Sequence, residues 1–375
     1  MAIEHIRAPW KGTMTPRERF NRQMHFQSVD RSFHMEFGYW DENFDEWAMF
    51  RENGIRTNEQ ADRFFSFDPI AVISGKVFLW PLFEQKEIGR TDDGKVLLQN
   101  GEGLIAEQPA DGHSTIPHYI KSQIVTPEDW AWVKAERFDL HHPDRVVDIA
   151  ALQAIHRPDA GRDYPLGVDC GSLIGKIRDM LTFEGICYAI YDYPEMVEDM
   201  VETTCQLIEQ FLDQVLPHFR FDFASGWEDI CFKNGPIVPP WFFRDVLQSR
   251  YRRIGDKLKA HGIDIWYTDC DGDVRPILPV FLAGGINCLF PYEVNSCAHP
   301  GELMDQYPEL RIMGGVDKIA LGSGRAAIDA YLDTLIPYVE RGGYIPFCDH
   351  RCPPNVPEAD YLYYLDRKEQ LFGMK

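Results

Sequence analysis

The chain is predicted to be an α/β protein: a (β/α)8 TIM barrel with a small antiparallel hairpin insertion. Three observations predict this. From about residue 164 onward, short apolar runs alternate with helical stretches, and repeated βα units imply parallel strands. Nearly every one of those runs ends in a carboxylate, and the C-terminal strand ends of such a barrel are where reactive residues gather. No G-x-G-x-x-G follows the first strand, so the alternative, an open doubly wound sheet, loses its main support.

The elements follow in order. Residues 1–14 read as an irregular lead-in. Thr15-Pro16-Arg17-Glu18 opens a helix, with Thr as N-cap, Pro at the first helical position and Glu in the first turn. Ser32 to Gly38 alternates and reads as the first barrel strand. Residues 41–66 carry a helical pattern closed by Asp68-Pro69. Residues 71–108 hold strand-like runs split by Asp-Gly and Gly-containing turns, which signal an antiparallel insertion. Thr126-Pro127 caps another helix. Strands are then expected in YPLGVDCG, FDFASGWED, IDIWYTDCDGD, INCLFPYE, LRIMGGVDK and GGYIPFCDH, with helices between them and a final helix from about 358. The 375 residues are read as one domain, within the range of about 200 to over 400 that such barrels occupy.

Composition narrows the partners. The net charge of −21 repels nucleic acid and anionic membranes. No run approaches the ~18 apolar residues of a membrane span, and the N-terminus has no signal-like apolar segment. A cytoplasmic protein with a small-molecule substrate is expected. The nine cysteines are odd in number and irregularly spaced, without a C-x-x-C pair, so free thiols are expected.

The sharpest motif is YTDCDGDV. Residues i and i+2 of a strand share a face, so Asp269 and Asp271 would both project into the mouth, with Cys270 in the wall. His350, at the last strand's end, is the third candidate for a site holding zinc or another divalent metal. His350 is also an acid/base candidate, with Glu293 and Glu228 assisting. Of Glu228 and Asp229 only one is expected to reach the pocket, because neighbours on a strand face opposite ways. Glu36, Asp169, Arg178 and the aromatics Trp40, Trp227, Tyr267 and Tyr292 are expected to line the substrate pocket, since apolar walls with a few polar anchors are usual there. For Asp317-Lys318 a structural ion pair is expected.

These residues carry a family likeness. The opening TPRERFNRQMHFQSVDR and the later runs GSLIGKIRDMLTFEGICYAIYDYPEMVEDMV, ICFKNGPIVPPWFFRDVL, DCDGDVRPILPVFLAGGINCLFPYEV, LRIMGGVDK and GGYIPFCDHRCPPNV resemble, in this order, the uroporphyrinogen decarboxylase-like superfamily. That resemblance implies a TIM barrel, a homodimer and one of two chemistries. One is decarboxylation of uroporphyrinogen without a cofactor. The other is methyl transfer involving cobalamin, with zinc activating the acceptor. The decarboxylase branch carries an Arg-rich motif at its first strand, whereas this chain has the acidic FHMEFGYWDENFDE, without Arg. The methyltransferase branch has His-x-Cys-Gly where this chain has Asp269-Cys270-Asp271-Gly272, so the implied ligand set turns from soft to hard. The expected function is therefore transfer of a methyl group between a small methoxylated or aromatic compound and a corrinoid cofactor carried by a partner protein. The alternative is a cofactor-independent decarboxylase of a small acid, anchored by Arg178, Lys176 or Lys233.

Overall fold

The computed structural model describes residues 7–109, 118–157 and 161–373; the first six residues of the expected lead-in lie outside them. Seven strands form one parallel sheet: β1 (Ala71–Ile73), β2 (Leu166–Asp169), β3 (Phe223–Trp227), β4 (Trp266–Asp269), β5 (Cys288–Tyr292), β6 (Arg311–Val316) and β7 (Tyr344–Cys348). Each pairs with its neighbour in sequence. The sheet therefore has no point where strand order reverses, which a doubly wound fold would require.

The first-strand expectation is corrected. Ser32 to Gly38 forms no ladder; isolated bridges flank it, Arg31 with Gly373 and Tyr39 with Cys352. The hydrogen-bonded sheet accordingly has two edges, β1 and β7. Side chains fasten the extended segment between them. Gln23 accepts from the Phe33 amide at 2.6 Å and donates to the Tyr344 carbonyl at 2.6 Å. Asp68 accepts from the His34 amide at 2.9 Å, and Glu36 accepts from the Cys348 amide at 3.1 Å.

Alternation sorts the apolar residues into two layers. Phe33, Met35, Phe223, Ile265, Cys288, Phe290, Met313, Ile345 and Phe347 meet in one buried cluster on the inner face. Phe20 and Met24 of helix Pro16–Met24 join it. That helix lies against the start of β7, where the Gly343 amide donates to the Gln23 carbonyl, so the N-terminal end is plugged. The outer faces pack on the helices through a larger cluster.

The insertion is also corrected. Ala71–Ile73 belongs to the parallel sheet. The separate antiparallel sheet begins later and has four strands, Lys86–Arg90, Val96–Gln99, Ile105–Gln108 and His118–Lys121. The 41–66 stretch is three short helices, Asp41–Glu46, Ala48–Asn53 and Asn58–Phe65, broken at Trp47, which is extended, and at Gly54, which is left-handed. The expected caps are present: Thr15 accepts from the Glu18 amide, and Thr126 forms a reciprocal box with Asp129. Among the described residues, no helix is long and apolar enough to cross a membrane.

Candidate active site

The C-terminal end of β3 fixes which acid faces inward. Phe223 packs in the inner cluster, so alternation places Ser225, Trp227 and Asp229 on that side and Glu228 on the other. Glu228 is buried and accepts from Ser172 Oγ, from the amides of Leu173, Ile174 and Gly175, and from Tyr251 Oη, at 2.8–3.0 Å. It satisfies the orphan amides that start helix Gly175–Leu181. The expected catalytic role for Glu228 is thus corrected to a structural one. The close approach explains Gly175, where a Cβ would collide with the Glu228 carbonyl oxygen. Gly175→Ala is expected to cost roughly 1–3 kcal/mol in a denaturation midpoint, as overpacking does.

Asp229 is the acid that reaches the mouth. Its backbone is left-handed, φ 39°, a strained setting for a non-glycine residue and one that clusters at functional sites. Its amide and that of Glu228 both donate to the Asp269 carbonyl, at 3.0 and 2.8 Å. Arg178 binds the Asp229 carbonyl at 2.6 Å and its carboxylate at 3.2 Å. Burial pushes the Asp229 carboxyl up to about 6, with Arg178 pulling the other way.

Asp269 ends β4 opposite Trp227. Burial, reinforced by the charges of Asp271 and Asp229, pushes its carboxyl up to about 8. At neutral pH it therefore holds a proton. Asp271 lies just beyond the strand, and its Oδ2 is 3.4 Å from His350 Nε2. The His350 ring stacks on Trp40 at 5.5 Å and meets Phe37 edge-on at 5.6 Å. Arg351, the next residue, places its guanidinium over Phe37. Cys270 is buried in the outer cluster, in the wall where alternation put it. The last-strand His and the β4 acids, distant in sequence, are thus neighbours.

The remaining candidates divide. Trp227 lies under the Lys176 and Arg178 cations at 4.9 and 5.4 Å. Tyr267 stacks between Phe223 and Phe290 inside the sheet, below the mouth. Asp169 accepts from the Gly171 amide at 2.9 Å; burial raises its carboxyl. Glu293 accepts from Lys318 Nζ at 2.8 Å and the Gly272 amide at 3.1 Å. Although burial opposes it, Lys318 holds this carboxyl below its usual range. Lys318 therefore pairs with Glu293 and not with Asp317, which caps the next helix.

Two substrate-pocket expectations are corrected. Glu36 points outward and binds Lys368 Nζ at 2.7 Å and Tyr364 Oη at 2.8 Å. Tyr292 packs in the outer cluster, because a register shift between Leu289 and Tyr292 breaks the strand's alternation. Two of the three suggested carboxylate anchors are taken, Arg178 by Asp229 and Lys176 by Glu102 at 2.9 Å; Lys233 is exposed.

A metal does not fit this arrangement. Among the described residues, no group of three His, Cys, Asp or Glu side chains is disposed to hold one. Asp271 is turned to His350, with its Oδ2 at 3.4 Å from Nε2. What the site offers is acid/base chemistry: the Asp269 carboxyl, raised to about 8, the Asp271 side chain beside the His350 imidazole, and aromatic faces around them. A cleft of about 560 Å³ adjoins it, bordered by Trp40, Glu293, Lys318 and His350.

No protein-family model matches the chain, and no curated protein matches it. Its structure is similar to that of a methyltransferase from Methanosarcina mazei, with a TM-score of 0.57 at 12% identity, over 96% of this chain and 99% of that one. The two proteins share a fold.

Proposed function

We propose that the protein is a corrinoid-linked methyltransferase acting on a small O- or N-methylated compound, on a closed (β/α)8 barrel whose eighth stave is the segment 32–38. The observation that carries this reading is the placement of the Asp269 carboxyl at the C-terminal end of β4, beside Asp271 and Asp229 and near aromatic faces, a setting that raises it to about 8. Breaking a methyl–oxygen or methyl–nitrogen bond leaves an electron pair on the heteroatom. A proton donor placed there lowers the barrier. A reduced corrinoid brought by a partner protein would supply the nucleophile that accepts the methyl group. As that bond breaks, the Asp269 proton passes to the leaving heteroatom, and the Asp271–His350 pair lies alongside to relay its replacement from solvent. Trp40, Phe37 and Trp227 exclude water around the reacting atoms. The shared fold with a methyltransferase supports the reading.

The test mixes purified protein with chemically reduced cobalamin and a panel of methoxylated aromatics and methylamines, recording methylcobalamin by its absorbance. Protein-dependent methylcobalamin from at least one compound is the expected result. None from any of them overturns the reading. Carbon dioxide released from a parallel panel of small acids would put a carboxy-lyase in its place.

A further inference from the structure

The cations around the mouth are almost all spent on carboxylates. Arg178 holds Asp229 and Asp179, at 3.2 and 2.9 Å. Lys176 holds Glu102, Lys318 holds Glu293, and Arg275 holds Asp273, at 2.7–2.9 Å. Arg351 differs. Among the described residues its guanidinium makes no ion pair and donates no hydrogen bond; it lies 5.7 Å from the Phe37 ring centroid, and its charge reaches the Asp269 carboxyl. The residue is half-buried and follows His350 directly in the loop after β7.

That combination is specific. A guanidinium that leans toward an aromatic ring and donates to no other group keeps its N–H fork available. The acceptor that matches the fork is planar and bidentate, a carboxylate. Phe37 ties this fork to the reacting cluster, because the same ring meets His350 at 5.6 Å and Phe290 at 5.1 Å. Asp229 is paired with Arg178 and Asp271 with His350, and Asp269 feels the Arg351 charge without forming an ion pair with it, so an anion entering here meets a positive charge that no carboxylate contacts, even in a chain of net charge −21.

We propose that Arg351 anchors a carboxylate on the substrate, so that the compound is a small aromatic acid lying along Phe37 and Trp40 with its methylated end toward Asp269. The methylated end rests on the methyl-transfer reading; the carboxylate site stands on the Arg351 geometry alone.

The experiment is calorimetric titration of the full-length protein with benzoate, 4-methoxybenzoate and the neutral analogues benzamide and methoxybenzene. Both acids are expected to bind, and the neutral analogues to bind at least roughly tenfold more weakly, the scale of losing a charge-assisted pair. Arg351→Gln should weaken the acids by a similar factor and leave the neutral compounds unchanged, with Arg351→Lys in between. In turnover of 4-methoxybenzoate, Arg351→Gln should raise KM while kcat stays within about threefold, the pattern of lost uniform binding. No binding of either acid to the native protein, equal binding of acid and amide, or acid binding indifferent to Arg351→Gln each overturns the anchor. Arg351-dependent binding of benzoate with no methyl transfer from any compound would leave the anchor standing and remove the methyl-transfer reading.

Discussion

Asp269→Asn is expected to lower kcat by roughly 10²–10⁴-fold, the usual worth of a positioned general acid, and at the same time to make the protein more stable at alkaline pH. The two effects share one cause. In the folded state the Asp269 carboxyl is raised from 3.8 to about 8 by burial and by Asp271 and Asp229. Between those values the folded chain holds a proton that the unfolded chain has released, so native stability falls as pH rises across that window. Asparagine has no charge to bury. At pH 9 the variant should be more stable than the native protein by roughly 2 kcal/mol, read by denaturant titration. The native enzyme's kcat should decline above about pH 8, as the acid form is lost. A variant that is inactive and less stable at pH 9 would show that Asp269 is structural.

The second large effect is expected at a buried ion pair behind the site. Lys368 and Glu36 form an ion pair whose side chains are 0% and 1% exposed. Tyr364 Oη and the Cys348 amide also donate to Glu36, and Lys368 donates to the Met35 carbonyl. Removing one partner leaves an uncompensated buried charge. Lys368→Met should therefore destabilise the protein by about 3–5 kcal/mol, whereas Glu36→Gln with Lys368→Met should recover most of that loss. Equal loss in the single and double variants would show that the methionine disrupts packing and that the charge is not the cause.

What could be read in the sequence was whatever depends on local pattern. The six strand runs from Leu166 to Cys348 were legible because each is apolar and bounded by turns. Asp269 and Asp271 stood out through their spacing. The choice between Glu228 and Asp229 was also legible, since counting by twos from Phe223 puts Asp229 inward; the count simply had to start from a residue known to face the interior. By the same parity Glu36 falls outward from Met35 and Phe37. Other features were not legible. Residues 32–38 alternate like a strand, but pairing depends on what lies beside them, and their neighbours offer side chains in place of a peptide ladder. Tyr292 obeys alternation until a register shift turns it away. Arg351 resembles any loop arginine until its lack of a partner is seen in three dimensions.

The seam between β7 and β1 has a consequence for how this protein can change. A ladder of peptide groups is indifferent to side-chain identity and holds its register through most substitutions. The 32–38 segment hangs instead on the side chains of Gln23, Asp68 and Glu36 and on isolated peptide hydrogen bonds at Ser32, His34 and Gly38, and it carries Phe37 and leads into Trp40, both in contact with His350. Two of those pegs are bound into buried ion pairs, Asp68 with Arg31 and Glu36 with Lys368, so a change at either carries its partner with it but unzips no strand pair. A change along this segment is therefore felt at Phe37 and Trp40, beside His350, while the seven laddered strands keep their pairing.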